Sequence, residues 1–345
     1  MSVHNGRPVI DVFRRRRATA TGMDFDVAEL LVGAAVQAPS VHNTQPWRFV
    51  HDRDGGIELR ADRSRLLQVT DPAGRQLVIS CGAALAVLMV GVRWLGFHPL
   101  VSYHPAPADP ALLAHLAIGP PCRPSSQALD MFVAAAERHT HRGPFDDVPV
   151  APSLLTELRR VAARGHCRVH LVRDVEALLL VTRLTATAEA EQRRAPAVRA
   201  ELGDWLRPGE GTHRDGIPAA AAGVPHAGLG RLAPRRYGPA TTIADHPRPG
   251  TGRLPATMVL STSHDDVTAW LHAGVALQQM LLLAARHSVY ASIHTQPVEI
   301  PAMRARLAAL AGDPYPQMLL QLGHADSAPS ATPRRPPSEV LTAAR

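Results

Sequence analysis

Between Ala38 and Trp47 the chain reads Ala-Pro-Ser-Val-His-Asn-Thr-Gln-Pro-Trp, with five hydrogen-bonding side chains between its two prolines. Ser40, His42, Asn43, Thr44 and Gln45 offer donors and acceptors. Pro39 and Pro46 fix φ and forbid helix continuation, so a stiff turn presents those groups. A packed core has no use for that chemistry, whereas a polar, planar ligand does. Other chemistry-bearing clusters are weaker. His139 with His141, and His166 with Cys167 and His170, lack the His-Glu-x-x-His or paired-cysteine spacing of a metal site, and 18 histidines make such neighbours common by chance. No metal is expected. Cys81, Cys122 and Cys167 are widely spaced with no Cys-x-x-Cys pair, which points to a reducing, cytoplasmic setting. Cys81, inside an apolar run, reads as an inert small hydrophobe.

The elements that must position the loop follow from periodicity. Residues 25–37 place Val27, Leu30, Leu31, Ala34 and Ala35 on one side of a helix with Asp24 as its N-cap, so the loop sits at a helix C-terminus. Strands are expected at 47–51 and 57–61 around an Asp54-Gly55-Gly56 turn. Two apolar stretches, 76–92 and 267–285, carry no charged side chain. Each is near the lower length limit for spanning a bilayer, but internal Ser80, Gly82 and Gly91, and Thr268, His272, Gln278 and Gln279, favour helices buried in protein. Gly82-Ala83-Ala84-Leu85 aligns with Gly274-Val275-Ala276-Leu277 at an offset of 192 residues, which suggests two related halves, although two unrelated buried helices could share four positions by chance. From 205 to 255 glycine and proline punctuate the chain and periodicity fades. Such a stretch is either a cover over a site or partly disordered, and a lid is the expectation. The boundaries expected are an N-terminal arm at 1–23, a first half at 24–121, a second half at 122–326 carrying the lid at 205–255, and a C-terminal arm at 327–345.

At 345 residues and 46% hydrophobic, the chain can bury one large core or two moderate ones. Its net charge of +7 contains no lysine, so every basic side chain besides histidine is arginine. Codon bias toward arginine explains most of them, but the guanidinium fork also suits phosphate. Aromatic residues make up only 4% and 30 acidic residues are interspersed among the basic ones, which argues against a nucleic-acid partner. The four arginines at 14–17 read as a solvated tail. No secretory signal stands at residues 1–13.

The loop, together with Thr70-Asp71-Pro72-Ala73-Gly74-Arg75 and Ser80-Cys81-Gly82-Ala83-Ala84-Leu85, resembles the nitroreductase superfamily, in particular its Acg-type actinobacterial branch. The resemblance runs from about 24 to 341 and is weakest between 204 and 255. It implies an α+β, nitroreductase-like fold with FMN as cofactor: two halves of mostly antiparallel sheet flanked by helices around long central helices, one chain imitating the family's homodimer. In such dimers one subunit supplies the Pro-Ser loop and the other an Arg-rich segment and a basic tail. The resemblance therefore assigns Pro39, Ser40, His42, Asn43 and Gln45 to the flavin ring and ribityl chain. It assigns Arg138, Thr140, Arg142 and Arg335 to its phosphate, with Arg334 the weaker of its pair. Thr295 and Gln296, in Ser292-Ile293-His294-Thr295-Gln296-Pro297, match the segment that approaches the reactive ring edge. The opposite combination of halves looks degenerate, which implies one FMN per chain. Without the resemblance, Arg138 and Arg142 would read as ordinary surface arginines.

Two functions share these residues. One is an oxidoreductase that takes hydride from NADH or NADPH and reduces a small-molecule acceptor, nitroaromatic or quinone-type, with no protein nucleophile or acid/base catalyst required. The other is a flavin-sequestering protein whose lid blocks turnover. A cytoplasmic monomer without nucleic-acid or membrane partners is expected.

Overall fold

A computed structural model describes residues 22–207, 213–221, 230–235, 237, 254–326 and 328–344. The arginines at 14–17, and the lid at 208–212, 222–229, 236 and 238–253, lie outside the described residues.

The chain opens with α1 (Phe25–Ala35), whose first turn is closed by Asp24 Oδ1 accepting from Val27 N at 2.9 Å. The polar loop follows, then β1 (Trp47–His51) and β2 (Ile57–Ala61). Their turn needs Gly55, at φ +75°, because a Cβ there would lie 2.7 Å from Met23 N. α2 (Arg75–Trp94) starts where buried Asp71 accepts from Gln76 N and Leu77 N, and β3 (Phe97–Tyr103) and β4 (Leu112–Pro121) complete the half. The four strands stand in the order β1-β2-β4-β3, every pair antiparallel.

After a connecting helix, α3 (Ser126–Glu137), the plan repeats. α4 (Pro152–Arg164) leads into β5 (Cys167–Val172). Where the first half has its short β1–β2 turn, the second inserts α5 (Val175–Arg194), α6 (Pro196–Asp204), the two-stranded pair β6 (Leu206–Arg207) and β7 (Ile217–Pro218), and the lid. Then come β8 (Ala256–Thr262), α7 (Val267–Arg286), β9 (Tyr290–Ile293), α8 (Gln296–Glu299), α9 (Pro301–Ala311) and β10 (Tyr315–Gly323). This sheet runs β5-β8-β10-β9, again antiparallel throughout, so helix, strand, strand, long helix, strand, strand recurs with one sheet order. The C-terminal segment does more than lie on a surface. α10 (Pro337–Val340) and β11 (Leu341–Ala343) carry it back to the first half, where β11 pairs parallel with β1, Phe49 against Leu341.

α2 and α7 span equivalent positions 192 residues apart and cross at the two aligned glycines. A Cβ on Gly82 would sit 2.4 Å from Leu271 O, and one on Gly274 would sit 2.1 Å from Ile79 O. Each glycine thus meets the carbonyl three residues before the other, the reciprocity that defines a two-fold contact. The cores interpenetrate: Leu271 of α7 packs in the first half's cluster and Ile79 of α2 in the second's. Both helices are long and apolar enough to cross a membrane, but they are largely buried, against each other and against the sheets, and form the core.

Candidate functional site

The polar loop is strained. His42, Asn43 and Gln45 hold φ of 49°, 57° and 50°, a left-handed conformation that asparagine and histidine tolerate better than glutamine does. Side-chain bonds enforce it. Ser40 Oγ accepts from Gln45 N at 2.9 Å, and Gln45 Nε2 donates to Arg214 O at 2.8 Å while its Oε1 accepts from Arg335 N at 2.8 Å. Asn43 Nδ2 donates to Gly216 O and Pro333 O, both at 2.9 Å.

These bonds and the cleft beside them divide the expected loop residues into two groups. Asn43 and Gln45 hold the lid's β7 end and the C-terminal tail in place, and neither lines the adjoining cleft. Pro39, Ser40 and His42 do, in a space of about 800 Å³ counted to its open mouth. Its other walls are Gln76, Ile79 and Ser80 of α2, Thr140 and Arg142, Leu277 of α7, the 292–295 turn including Thr295, and Pro234, Arg235 and Tyr237 of the lid. Gln296, fully buried, points behind the turn toward Glu189. The cleft therefore lies between the halves, with the loop and α2 from one and the arginine segment and turn from the other.

At one end Arg142 lines the cleft, with Arg138 and Arg334 beside it and outside the lining. Arg138 Nη2 donates to Gln37 O at 2.9 Å, Arg142 Nη1 to Ala221 O at 3.2 Å, and Arg334 Nη1 to Asn43 Oδ1 at 3.0 Å. Among the described residues no carboxylate pairs with any of the three. Burial, then the positive charge of Arg334 and Arg142, pushes Arg138 down to about 9; burial and Arg142 push Arg334 down to about 10. The Nε atoms of Arg138 and Arg334 are buried without a hydrogen bond. Arg335, expected beside the phosphate, lies against carboxylates. It is held by Glu339 at 3.4 Å and Asp62 at 3.7 Å, so it is a compensated cation that anchors the tail.

At the other end is a residue that sequence reasoning passed over. Arg235 Nη2 lies 2.7 Å from Glu299 Oε1, with both side chains nearly solvent-free. Burial, the largest single effect, would lower Arg235, but Glu299 with Tyr237 and Glu189 together leave it raised; burial would raise Glu299, but Arg235 with the Thr295 and Gln76 hydrogen bonds brings it down to about 2. Gln192, Gln76 and Thr295 complete the network, with Gln192 Nε2 2.6 Å and Gln76 Nε2 2.9 Å from the carboxylate and Arg235 Nη2 3.0 Å from Thr295 Oγ1. The lid is fastened further along as well. Leu232 is fully buried, Leu232 N donates to Gln321 Oε1 at 3.1 Å, and Gln321 Nε2 donates to Gly230 O at 2.7 Å. No local signal marks Arg235 among the arginines of a Gly/Pro-rich stretch.

The place related to the cleft by the two-fold is filled. The 192-residue offset carries Ser80 onto His272, whose ring stands 4.5 Å from that of Tyr103 and 4.9 Å from that of His166. After α4 the turn into β5 is only Gly165-His166, where the first half has the whole polar loop.

No protein-family model matches the chain. A Mycobacterium tuberculosis protein named as a candidate NAD(P)H nitroreductase is 32% identical over 335 residues, 92% of each chain. A second from that organism, Acg, named in the same way, is 30% identical over 334 residues, 93% of this chain and 97% of its own. Among solved structures, a nitroreductase with bound FMN from Desulfitobacterium hafniense matches 63% of this chain and 98% of its own at 14% identity and a TM-score of 0.39. A candidate nitroreductase from Anabaena variabilis matches 91% of both chains at 12% identity and a TM-score of 0.40.

Proposed function

The chain belongs to the nitroreductase superfamily, in its Acg-type branch, and on that premise we propose that it is an FMN-dependent oxidoreductase. Its reductant is NADH or NADPH and its acceptor a nitroaromatic or quinone-type small molecule. The observation that carries this is a group of three arginines, Arg138 buried and Arg142 and Arg334 half-buried, without carboxylate partners among the described residues, beside a cleft walled by the Pro39–His42 loop and the 292–295 turn.

The residues present fit the cofactor. Arg138 Nε and Arg334 Nε at one end, and His42 Nε2 and Gln76 Oε1 along the walls, are buried polar atoms without a bond, and such atoms are costly unless a ligand meets them. Arg142, Arg334 and Arg138, with the Thr140 hydroxyl, would hold the dianionic phosphate through charge-assisted bonds. Ile79, Leu277, Ile293 and Met318 supply apolar wall for a ring, and Ser40 and Thr295 supply hydroxyls. Pro234, Arg235 and Tyr237 cover the cleft from the lid side and limit water. Bound there, FMN supplies the hydride and electron chemistry; the chain supplies orientation, electrostatics and access.

The chain contains both sheets, the reciprocal α2–α7 crossing and a single polar loop, which supports a monomer that imitates a dimer and holds one FMN. Its test is a light-scattering mass near 37.0 kDa with one flavin per chain. A second reading, flavin sequestration, is favoured by the buried bonds that fasten the lid, above all Arg235 to Glu299.

Anaerobic stopped-flow absorbance near the flavin band, after mixing with NADPH and separately with NADH, tests both. Bleaching reversed by a nitroaromatic or quinone establishes the reductase. Flavin that stays oxidised with both donors yet yields to dithionite establishes sequestration, and failure to retain flavin overturns the cofactor assignment.

A further inference from the structure

The cleft contains a titratable pair that the phosphate and the lid latch leave unused. His42 is 4% exposed, lines the cleft, and is held at φ 49°. Its Nδ1 lies 3.2 Å from the hydroxyl of Tyr237, and the two rings meet edge to face at 5.6 Å. Its Nε2 is buried with no partner. A loop that accepts backbone strain to place an imidazole on the wall of a cleft, and leaves one ring nitrogen buried and unbonded, is suited to meeting a ligand.

Which proton the ring carries follows from its surroundings. Burial, then Arg235 and Arg142, against an opposing effect of Glu299, brings His42 down to about 3, so the imidazole is neutral and only one nitrogen bears hydrogen. A phenol is a stronger acid than a neutral imidazole N–H, so the Tyr237 hydroxyl donates to Nδ1 and the ring hydrogen resides on Nε2. We infer that His42, with its tautomer fixed by Tyr237 of the lid, is a neutral hydrogen-bond donor to an acceptor atom on the edge of the ring in the cleft, and so a positioning residue that favours the reduced over the oxidised flavin. The inference rests on the flavin assignment above. Reduction adds negative charge to the pyrimidine edge of the ring, and a bond to a charged acceptor is stronger than one to a neutral acceptor. The lid thereby acts on the electronics of the site as well as on access to it.

The experiment compares the affinities of the full-length protein for oxidised and for reduced FMN, together with the ¹⁵N shifts of the His42 ring. Two variants serve: His42→Asn, which tolerates the left-handed backbone, and Tyr237→Phe, which removes one hydroxyl and leaves the loop intact. His42→Asn is expected to lower the ratio of reduced to oxidised affinity about tenfold, the effect of one such bond. Tyr237→Phe is expected to lower it about threefold and to turn the His42 ring from the Nε2-protonated form into a mixture of tautomers. An unchanged affinity ratio in both variants, with flavin still bound, overturns the inference and leaves the cofactor assignment standing. A wild-type ring protonated on Nδ1 overturns it as well. Wild-type protein that binds no flavin overturns the cofactor assignment itself, and this inference with it.

Discussion

The two ends of the cleft use the same side chain to opposite effect. Arg235 is matched within 2.7 Å by Glu299, and the pair is closed off from water by glutamines. Arg138, Arg142 and Arg334 are matched by nothing of opposite charge among the described residues, and two of them are depressed by burial and by their neighbours. A buried cation is tolerable when compensated, and the fold compensates one end from within. The other end is left positive, and under the proposed function an external dianion would complete it. One end is compensated by the fold itself, and the other is the end proposed to bind.

Substitutions should separate the ends by sign. Arg235→Met leaves Glu299 as a lone buried charge and is expected to cost about 3–5 kcal/mol of stability in urea unfolding of the flavin-free protein. Arg138→Met, the same change at the other end, removes a cation with no counter-charge. It is expected to leave the flavin-free protein as stable as before or more so, and a large loss there would erase the contrast.

For flavin retention the ranking inverts. Arg142→Ala or Arg334→Ala should each weaken FMN binding by about 10- to 100-fold, corresponding to about 1.5–3 kcal/mol for a bond between charged groups, as read by fluorescence quenching. Arg335→Ala, at a site already paired with Asp62 and Glu339, should weaken it far less, and equal losses for Arg334 and Arg335 would return the phosphate role to Arg335.

A smaller effect sharpens the comparison without flavin. Inorganic phosphate at tenfold its dissociation constant should stabilise the flavin-free protein by about 1.4 kcal/mol in thermal unfolding, an increment that Arg142→Ala abolishes.

Acid provides the corresponding test of the latch. Glu299 titrates near 4.5 when unperturbed and at about 2 in the folded protein, so folding favours its ionised form. The stability this contributes is whole above pH 4.5 and drains away as the pH falls toward 2. Glu299→Gln should flatten stability across that window, and a variant with the wild-type slope would show that the pair contributes nothing to it.

Parts of this arrangement were legible in the residues. The stiff turn after α1, the β1–β2 hairpin and the two central helices are local: prolines, a two-residue alternation, and apolar runs with aligned glycines announce them. The aligned glycines hinted at related halves, and the structure shows why they recur: only glycine at 82 and 274 lets the backbones approach so closely. The roles of Asn43 and Gln45 were not legible, since their partners, Gly216, Pro333 and Arg335, lie 170 to 290 residues away. Much of the loop's polarity is spent on holding the 214–216 segment and the tail. The strand β11 was hidden for a related reason, since three residues become a strand only because β1 offers an open edge.

What the sequence by itself determined is therefore the local chemistry: a stiff polar turn, two buried helices, and a lysine-free set of basic side chains. Only the tertiary structure decided which arginines meet a carboxylate. Arg334 and Arg335 are adjacent in the chain, yet one faces other cations and the other faces two carboxylates. Turn stiffness and helix period are fixed by neighbours in sequence. Charge compensation depends on distance through space, and the carboxylates that set it are delivered by folding.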